Sequence, residues 1–199
     1  MEPPSPREDL DDDALVAAAG RGDARALRVL VERWGPRVLA FLQRALGSRS
    51  DAEDLAQETF LRVHRAAPRY RPEGRFPAWL FRIAGNLARQ EMRRRRVRGF
   101  FLGSGSATDA EILESLPAPA ADHPESAVQE RETRAALARA LMSLPERQRL
   151  AILLRYFEGL RVRDVALALG ASEDAAESLL VRGIHGLRRL LEERPPGGH

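Results

Sequence analysis

The stretch DAEDLAQETFLRVHRA, residues 51–66, leads through YRPEGRFPAWLFRIAGNLA at 70–88 into RQEMRRRR at 89–96. Three surfaces follow one another along it. Ser50 and Glu53 match a Ser-x-x-Glu capping box, and Asp51 and Glu53 sit in the first turn, where the helix dipole favours acids. Ala52, Leu55, Ala56, Phe60, Val63 and Ala67 share a core-facing stripe. Asp54, Gln57, Glu58 and Leu61 recur at i, i+3, i+4 and i+7 on another face. Two readings fit that face: a solvated surface, or a docking surface that uses the exposed Leu61 and the amide among carboxylates. Periodicity does not separate them.

Pro68 stops this helix and a turn-rich segment follows. Tyr70, Phe76, Trp79 and Phe81 then crowd into twelve residues of a chain that is otherwise poor in aromatics. Two readings fit them: all four are packing residues, or one or two line a pocket for an unpaired base, since every base offers a π-face. Arg69, Arg71, Arg75 and Arg82 lie close by as phosphate partners. The next helix carries Asn86, Arg89, Gln90 and Arg93 and ends on four consecutive arginines, which cover its whole circumference. No core accepts that, so this end is exposed, either as a solvated helix end or as a nucleic-acid contact.

On the N-terminal side, residues 1–11 are acidic and Pro-rich, the composition of a disordered segment rather than of a signal or transit peptide. Helical periodicity starts at Asp12 and breaks at Gly20–Gly22. It resumes after Asp23 with Ala26, Leu27, Leu30, Val31 and Trp34. Pro36 marks the start of a further helix through Leu46, so this part reads as a helical hairpin. On the C-terminal side, residues 99–128 lose periodicity and have the composition of an acidic, flexible linker. Residues 129–194 form a second helical unit. Ser143-Leu144-Pro145-Glu146 reads as a cap with proline in the first turn. The short helix ending at Leu169, the Gly170-Ala171-Ser172 turn and the longer helix from Glu173 make a helix-turn-helix pattern. A plain three-helix packing unit has the same local pattern. Residues 195–199 read as a tail. The expected fold is all-α: two small helical domains, 12–98 and 129–194, joined by a flexible linker.

Composition narrows the function classes. The chain has 199 residues, no cysteine and a net charge of only +3. Its basic side chains are all arginine. Residues 1–13 hold six acids and one arginine, 89–98 hold six arginines and one acid, and 99–130 hold six acids and no arginine. That alternation points to one local polyanion site. Disulfides and thiolate zinc sites are excluded. No run is long and apolar enough to span a bilayer, and a cytoplasmic location is expected. His64, His123, His185 and His199 are scattered and no phosphate-binding glycine loop is present. The sequence therefore points away from an enzyme and calls for no cofactor, metal or small-molecule substrate.

Together these segments resemble bacterial RNA polymerase sigma factors, in particular the small extracytoplasmic-function type. DAEDLAQETFLRV is similar to the family's polymerase-binding segment. FPAWLFRIAGNLA with its arginines is similar to the promoter-melting and minus-ten segment. LPERQRLAILLRYFEGLRVRDVALALG with the next helix is similar to the minus-thirty-five reader. The resemblance implies that Asp54, Gln57, Glu58 and Leu61 meet the clamp helices of the largest core RNA polymerase subunit. Tyr70, Phe76, Trp79 and Asn86 would open the duplex and hold flipped bases. Arg89, Gln90, Arg93, Arg94, Arg95 and Arg96 would meet the minus-ten element. Ser172, Glu173, Glu177, Ser178 and Arg182 would enter the major groove of the minus-thirty-five element. Implied partners are core polymerase (including the flap of its second-largest subunit), promoter DNA and an anti-sigma factor. The reading helix departs from the family pattern. Glu177, Leu179 and Ile184 stand where many members are basic, and Gly183 and Gly186 each weaken a helix by about 1 kcal/mol. The competing reading is a stand-alone helix-turn-helix regulator that binds duplex DNA without polymerase.

Overall fold

The computed structural model describes residues 11–102 and 124–193, and among them every regular element is a helix. Helix α1 (Asp12–Gly20) is capped by the Asp11 side chain, which accepts from Ala14 N–H at 2.6 Å. Helix α2 (Ala24–Leu46) is capped by Asp23, which accepts from the N–H groups of Arg25 and Ala26 at 3.0 and 3.3 Å. The restart expected at Pro36 does not occur, and α2 runs straight through it for 23 residues. An interior proline forfeits one hydrogen bond and normally costs about 3 kcal/mol. Two features offset this. Gly35 lacks the Cβ that would clash with the proline ring in helical backbone. Leu30, Trp34, Val38, Phe41 and Leu42 also keep one buried register across the proline.

Gly47 ends α2 in the left-handed region at φ 67°. Helix α3 (Arg49–Ala66) follows, capped by Ser48, whose hydroxyl accepts from Asp51 N–H at 3.4 Å. The cap expected at Ser50 thus lies two residues earlier, because the turn at Gly47 leaves Ser48 with the extended backbone a cap needs. Helix α4 (Phe76–Leu102) extends beyond the expected end at 98. Trp34, Phe41, Phe76 and Phe81 interlock edge-to-face between α2 and α4, with centroids 5.1–6.2 Å apart.

In the C-terminal half, α5 spans Pro124–Ser143, so both ends of the expected 99–128 linker are helical, while residues 103–123 lie outside the described residues. The Ser143 cap does not form. Its hydroxyl donates back to Arg139 C=O at 2.9 Å, and the capping position is Pro145, which offers no side-chain acceptor. Helix α6 (Glu146–Ile152) continues into a wider π-turn at Leu153–Phe157. Helix α7 (Val162–Leu169) ends at Gly170, φ 59°, and the Ser172 hydroxyl caps α8 (Glu173–Glu192) by accepting from Ala175 N–H at 3.3 Å. The two unexpected glycines of α8 have a packing cause. A Cβ on Gly183 would lie 2.9 Å from Ile152 Cγ1, and one on Gly186 would lie 2.7 Å from Leu144 Cδ2. Their absence of side chain lets α8 lie close on α6.

The halves are not held apart. Helix α7 packs along α4, and the π-turn packs on α2. Glu158, with only 3% of its side chain exposed, meets Arg37 at 3.2 Å and Arg44 at 3.7 Å, both from α2. Arg37 also donates to the Glu158 carbonyl at 2.9 Å, and Arg44 stacks over the Phe157 ring. Arg149 of α6 donates to Ala45 C=O at 2.7 Å. Burial holds the Glu158 carboxyl above its usual range, with Arg37 and Arg44 opposing the shift, and holds the Arg44 guanidinium below its own. Desolvation therefore outweighs attraction at this contact, so it fixes the geometry of closure more than it strengthens it.

Three outcomes test this packing. A Cβ on Gly20 would lie 2.7 Å from the Ala67 carbonyl oxygen, whereas one on Gly85 would meet nothing within 4 Å. Gly20→Ala should lower stability by about 1–3 kcal/mol, and Gly85→Ala should raise it by about 1 kcal/mol, both read by thermal denaturation. Glu158→Ala strands the Arg44 charge and should part the halves, while the pair Arg44→Met with Glu158→Met should close them more tightly. Spin labels on Arg65→Cys and Arg188→Cys, in a chain without other cysteines, report the distance. Because closure raises the Glu158 affinity for its proton, closure should weaken as pH rises through that group's range, and the Met pair should remove this dependence.

Candidate functional site

The outer face of α3 carries Asp54, Gln57 and Leu61 into solvent, Leu61 at 50% exposure. Glu58 is half-buried and accepts from Arg62 Nε at 2.7 Å, one turn on. Beside them lies an open groove of about 560 Å³ between α2 and α3. Gln57 and Leu61 form one rim, and Leu27, Val31, Leu39 and Phe60 line its walls. Ala56 and Phe60, expected in the core, face this groove instead. The α2 wall was not expected either. Its signal was the row Leu27, Val31, Gly35 and Leu39, an apolar edge interrupted by the one residue without a side chain. A half-polar rim around an apolar trough fits a helical partner better than a small molecule, since the trough is open along its length.

The aromatic segment divides by depth. Phe76 is 1% exposed and belongs to the core, so it cannot stack on a base as expected. It follows the Gly74 turn directly and starts α4 pointing inward. Trp79 and Tyr70 stay half-buried above it, their rings 4.7 Å apart. The Tyr70 hydroxyl donates to Asp13 Oδ1 at 2.6 Å. Burial and that acid, with Glu73 and Asp12, push its ionisation far above the usual phenol range. Arg69, Arg71 and Arg75 are exposed on the same loop.

Along α4, Arg82, Asn86, Arg89 and Arg93 fall at i, i+4, i+7 and i+11, one continuous stripe with Gln90 beside it. Arg89 donates to the Asn86 side-chain oxygen. Its guanidinium is held below its usual value by partial burial and then by Arg147, Arg93 and Arg82. Arg147 comes from α6, so the second half completes a crowded positive surface that sequence reading assigned to α4 alone. The four consecutive arginines divide. Arg94 is 68% exposed with a loose 3.5 Å contact to Glu91. Arg95 is turned inward to Asp51 and the Leu46 carbonyl, because α4 passes there over the α2–α3 junction. Arg95 thus ties three helices together, with its donors turned away from the exposed stripe. Arg96 pairs with Glu146 across the halves.

On α8, Ser172, Glu173, Glu177, Ser178 and Arg182 are exposed together, with Arg182 Nε donating to Ser178 C=O at 3.0 Å. Leu179 and Ile184, which stand where many family members are basic, pack inward against the core. Among the described residues no cluster of metal-binding side chains occurs.

These surfaces coincide with known sequence families. A model described as Sigma-70 region 2 matches residues 30–98, and one described as Sigma-70, region 4 matches residues 134–184. RNA polymerase sigma factor NccH of Alcaligenes xylosoxydans xylosoxydans is 36% identical over 182 residues, covering 91% of this chain and 95% of the relative. The ECF RNA polymerase sigma factor BldN of Streptomyces coelicolor is 33% identical, covering 90% of this chain and 65% of the relative. Among solved structures, CnrH in complex with the cytosolic domain of CnrY superposes with a TM-score of 0.67 at 30% identity, covering 92% of this chain and 98% of CnrH. A chain that carries both regions and matches NccH over 95% of that relative's length belongs to the sigma-70 family, among its extracytoplasmic-function RNA polymerase sigma factors.

Proposed function

We propose that this chain binds core RNA polymerase, directs it to promoter DNA and opens the duplex there, leaving catalysis to the polymerase. The observation that carries this is the presence of three surfaces in one half: the α2–α3 groove, the Tyr70–Trp79 loop and the α4 arginine stripe. A partner docked in the groove places its DNA against the loop and stripe. Asp54, Gln57 and Leu61 with the groove take the clamp helices of the largest subunit. Tyr70, Trp79 and Asn86 hold unpaired bases, and Arg89, Gln90, Arg93 and Arg94 hold the minus-ten phosphates. The exposed face of α8 reads the minus-thirty-five element and its half meets the flap of the second-largest subunit. Glu177 is suited to accept from cytosine N4. The site of action is the cytoplasm, where polymerase works.

The two DNA readers cannot act together in the closed arrangement. A compact chain of this length has a radius of gyration of about 16 Å and is roughly 40 Å across. Elements about 25 base pairs apart lie roughly 85 Å apart along the duplex. The contact around Glu158 must therefore open before both are bound. An anti-sigma factor that bridges the halves would hold them shut.

Run-off transcription with core polymerase on a promoter library tests the reading: initiation at defined sites supports it. Strong specific gel shifts by the isolated chain, without initiation, would favour a stand-alone regulator. Leu61→Arg should lower core affinity at least tenfold and spare thermal stability. Arg93→Ala with Arg94→Ala should keep core affinity, slow promoter opening and reduce the salt slope of promoter binding by roughly two.

A further inference from the structure

Asp11, Asp12 and Asp13 read in sequence as one acidic run, but the structure gives each a separate task. Asp11 caps α1. Asp12 pairs with Arg33 of α2 at 2.6 Å. Asp13 reaches a different part of the chain. One carboxylate oxygen accepts from the Tyr70 hydroxyl at 2.6 Å, and the other accepts from the Gly74 N–H. Its partners are 57 and 61 residues away in sequence. The two bonds fall on either side of the Arg71-Pro72-Glu73 tip and so fix both flanks of the loop.

Helix α1 is a firm base for such a tie. Leu15 and Val16 are fully buried and Ala19 is 4% exposed. At its end, Gly20 touches the backbone of Ala67, just before the loop begins. Gly74 has φ 67°, a conformation that turns its N–H toward Asp13 and that a side chain would strain. On the far side, the Tyr70 ring leans on Trp79 at 4.7 Å and on Phe76 at 6.3 Å. The ring is thus held at its hydroxyl end by charge and along its flank by packing. Its only proton is already donated to Asp13. It offers a base a π-surface and no hydrogen-bond donor, so stacking at Tyr70 does not discriminate between bases by donation.

We infer that Asp13 is a positioning residue for promoter opening: by tying Tyr70 and Gly74 to α1 it pre-organises the 70–75 loop that receives the unpaired base. This rests on the proposed role of that loop. Pre-organisation matters because a loop already in its bound shape loses less freedom on capture.

The test uses the full chain with core polymerase. Asp13→Asn retains an acceptor for Tyr70 but can turn its amide donors against Gly74 N–H. Tyr70→Phe keeps the ring and removes only the hydroxyl. Each should slow opening of a duplex promoter about tenfold, the effect of losing a charge-assisted hydrogen bond. Core affinity and closed-complex affinity should be unchanged. The double variant should be little slower than either single one, because both cut the same tie. A template already unpaired over the minus-ten element should recover most of the rate. Trp79→Ala is the reference for the loop itself. If Trp79→Ala slows opening while Asp13→Asn and Tyr70→Phe do not, the positioning role is wrong and the loop's role stands. If all three open promoters at the normal rate, the loop reading fails as well. Equal losses in opening, core affinity and melting temperature would make Asp13 a fold residue only and overturn the inference.

Discussion

A helix has a limited circumference, and α4 must satisfy three neighbours with it. One side, with Leu80, Phe81, Ala84 and Ala88, closes the N-terminal core. Another receives α7. What remains is a single outward stripe, and the sequence fills it with Arg82, Asn86, Arg89 and Arg93. The position of every group on that stripe then follows from how α4 is seated. Its start is set by the Gly74 turn and buried Phe76, and its far end is set by Arg95 gripping Asp51 and Leu46 C=O. Arginines at one end and aromatics at the other are therefore held on a common rigid axis. Strand separation needs that rigidity, since phosphates must be held while bases leave the stack.

The same helix face shows why closure carries a built-in opposition. Bringing α6 beside α4 adds Arg147 to Arg82, Arg89 and Arg93. Like charges a short distance apart in partly desolvated surroundings repel by a substantial fraction of the pair energies that oppose them. Against this stand the Glu158 contacts, the Arg149–Ala45 bond and the exposed Arg96–Glu146 pair, the last worth little in solvent. An anion on the stripe would relieve the repulsion within the closed form. Removal of Glu158 from its guanidiniums would restore hydration to all three groups.

How much of this could be read from the chain depends on the range of the interaction. The helix-turn-helix was legible because its determinants are local: Gly170 turns, Ser172 caps, and Val165, Ala166 and Leu169 repeat within two turns. The α3 face was legible as a face for the same reason. The groove beside it was not, since half of it comes from α2. Pro36 misled because a proline alone predicts a boundary, while the compensating Gly35 and the buried register matter only once the helix has a core to lie on. Nothing in the local pattern sets Arg149 and Glu158 apart from other charges on amphipathic helices. Their partners are 104 and 121 residues away, and no periodicity encodes a pairing at that distance. Leu179, Ile184 and Gly183 looked like faults in a reading helix. They are the packing side of α8, and the exposed side is the face opposite.

That division bears on how strongly α8 can hold DNA. Its exposed face offers Glu173, Asp174 and Glu177 near the N-terminus, with Arg182, Arg188 and Arg189 further along. The acids favour the helix, through its dipole, and oppose the phosphates. Arg182 is partly committed to the Ser178 carbonyl and Arg189 lies 3.8 Å from Glu193. On the proposed reading, the C-terminal half contributes base selectivity more than electrostatic affinity. The larger share of phosphate attraction would fall to the α4 stripe, where the positive charges are concentrated and a bound strand would relieve their repulsion. Affinity and selectivity are then assigned to different halves of the chain, and only a partner large enough to hold both halves along the duplex can combine them.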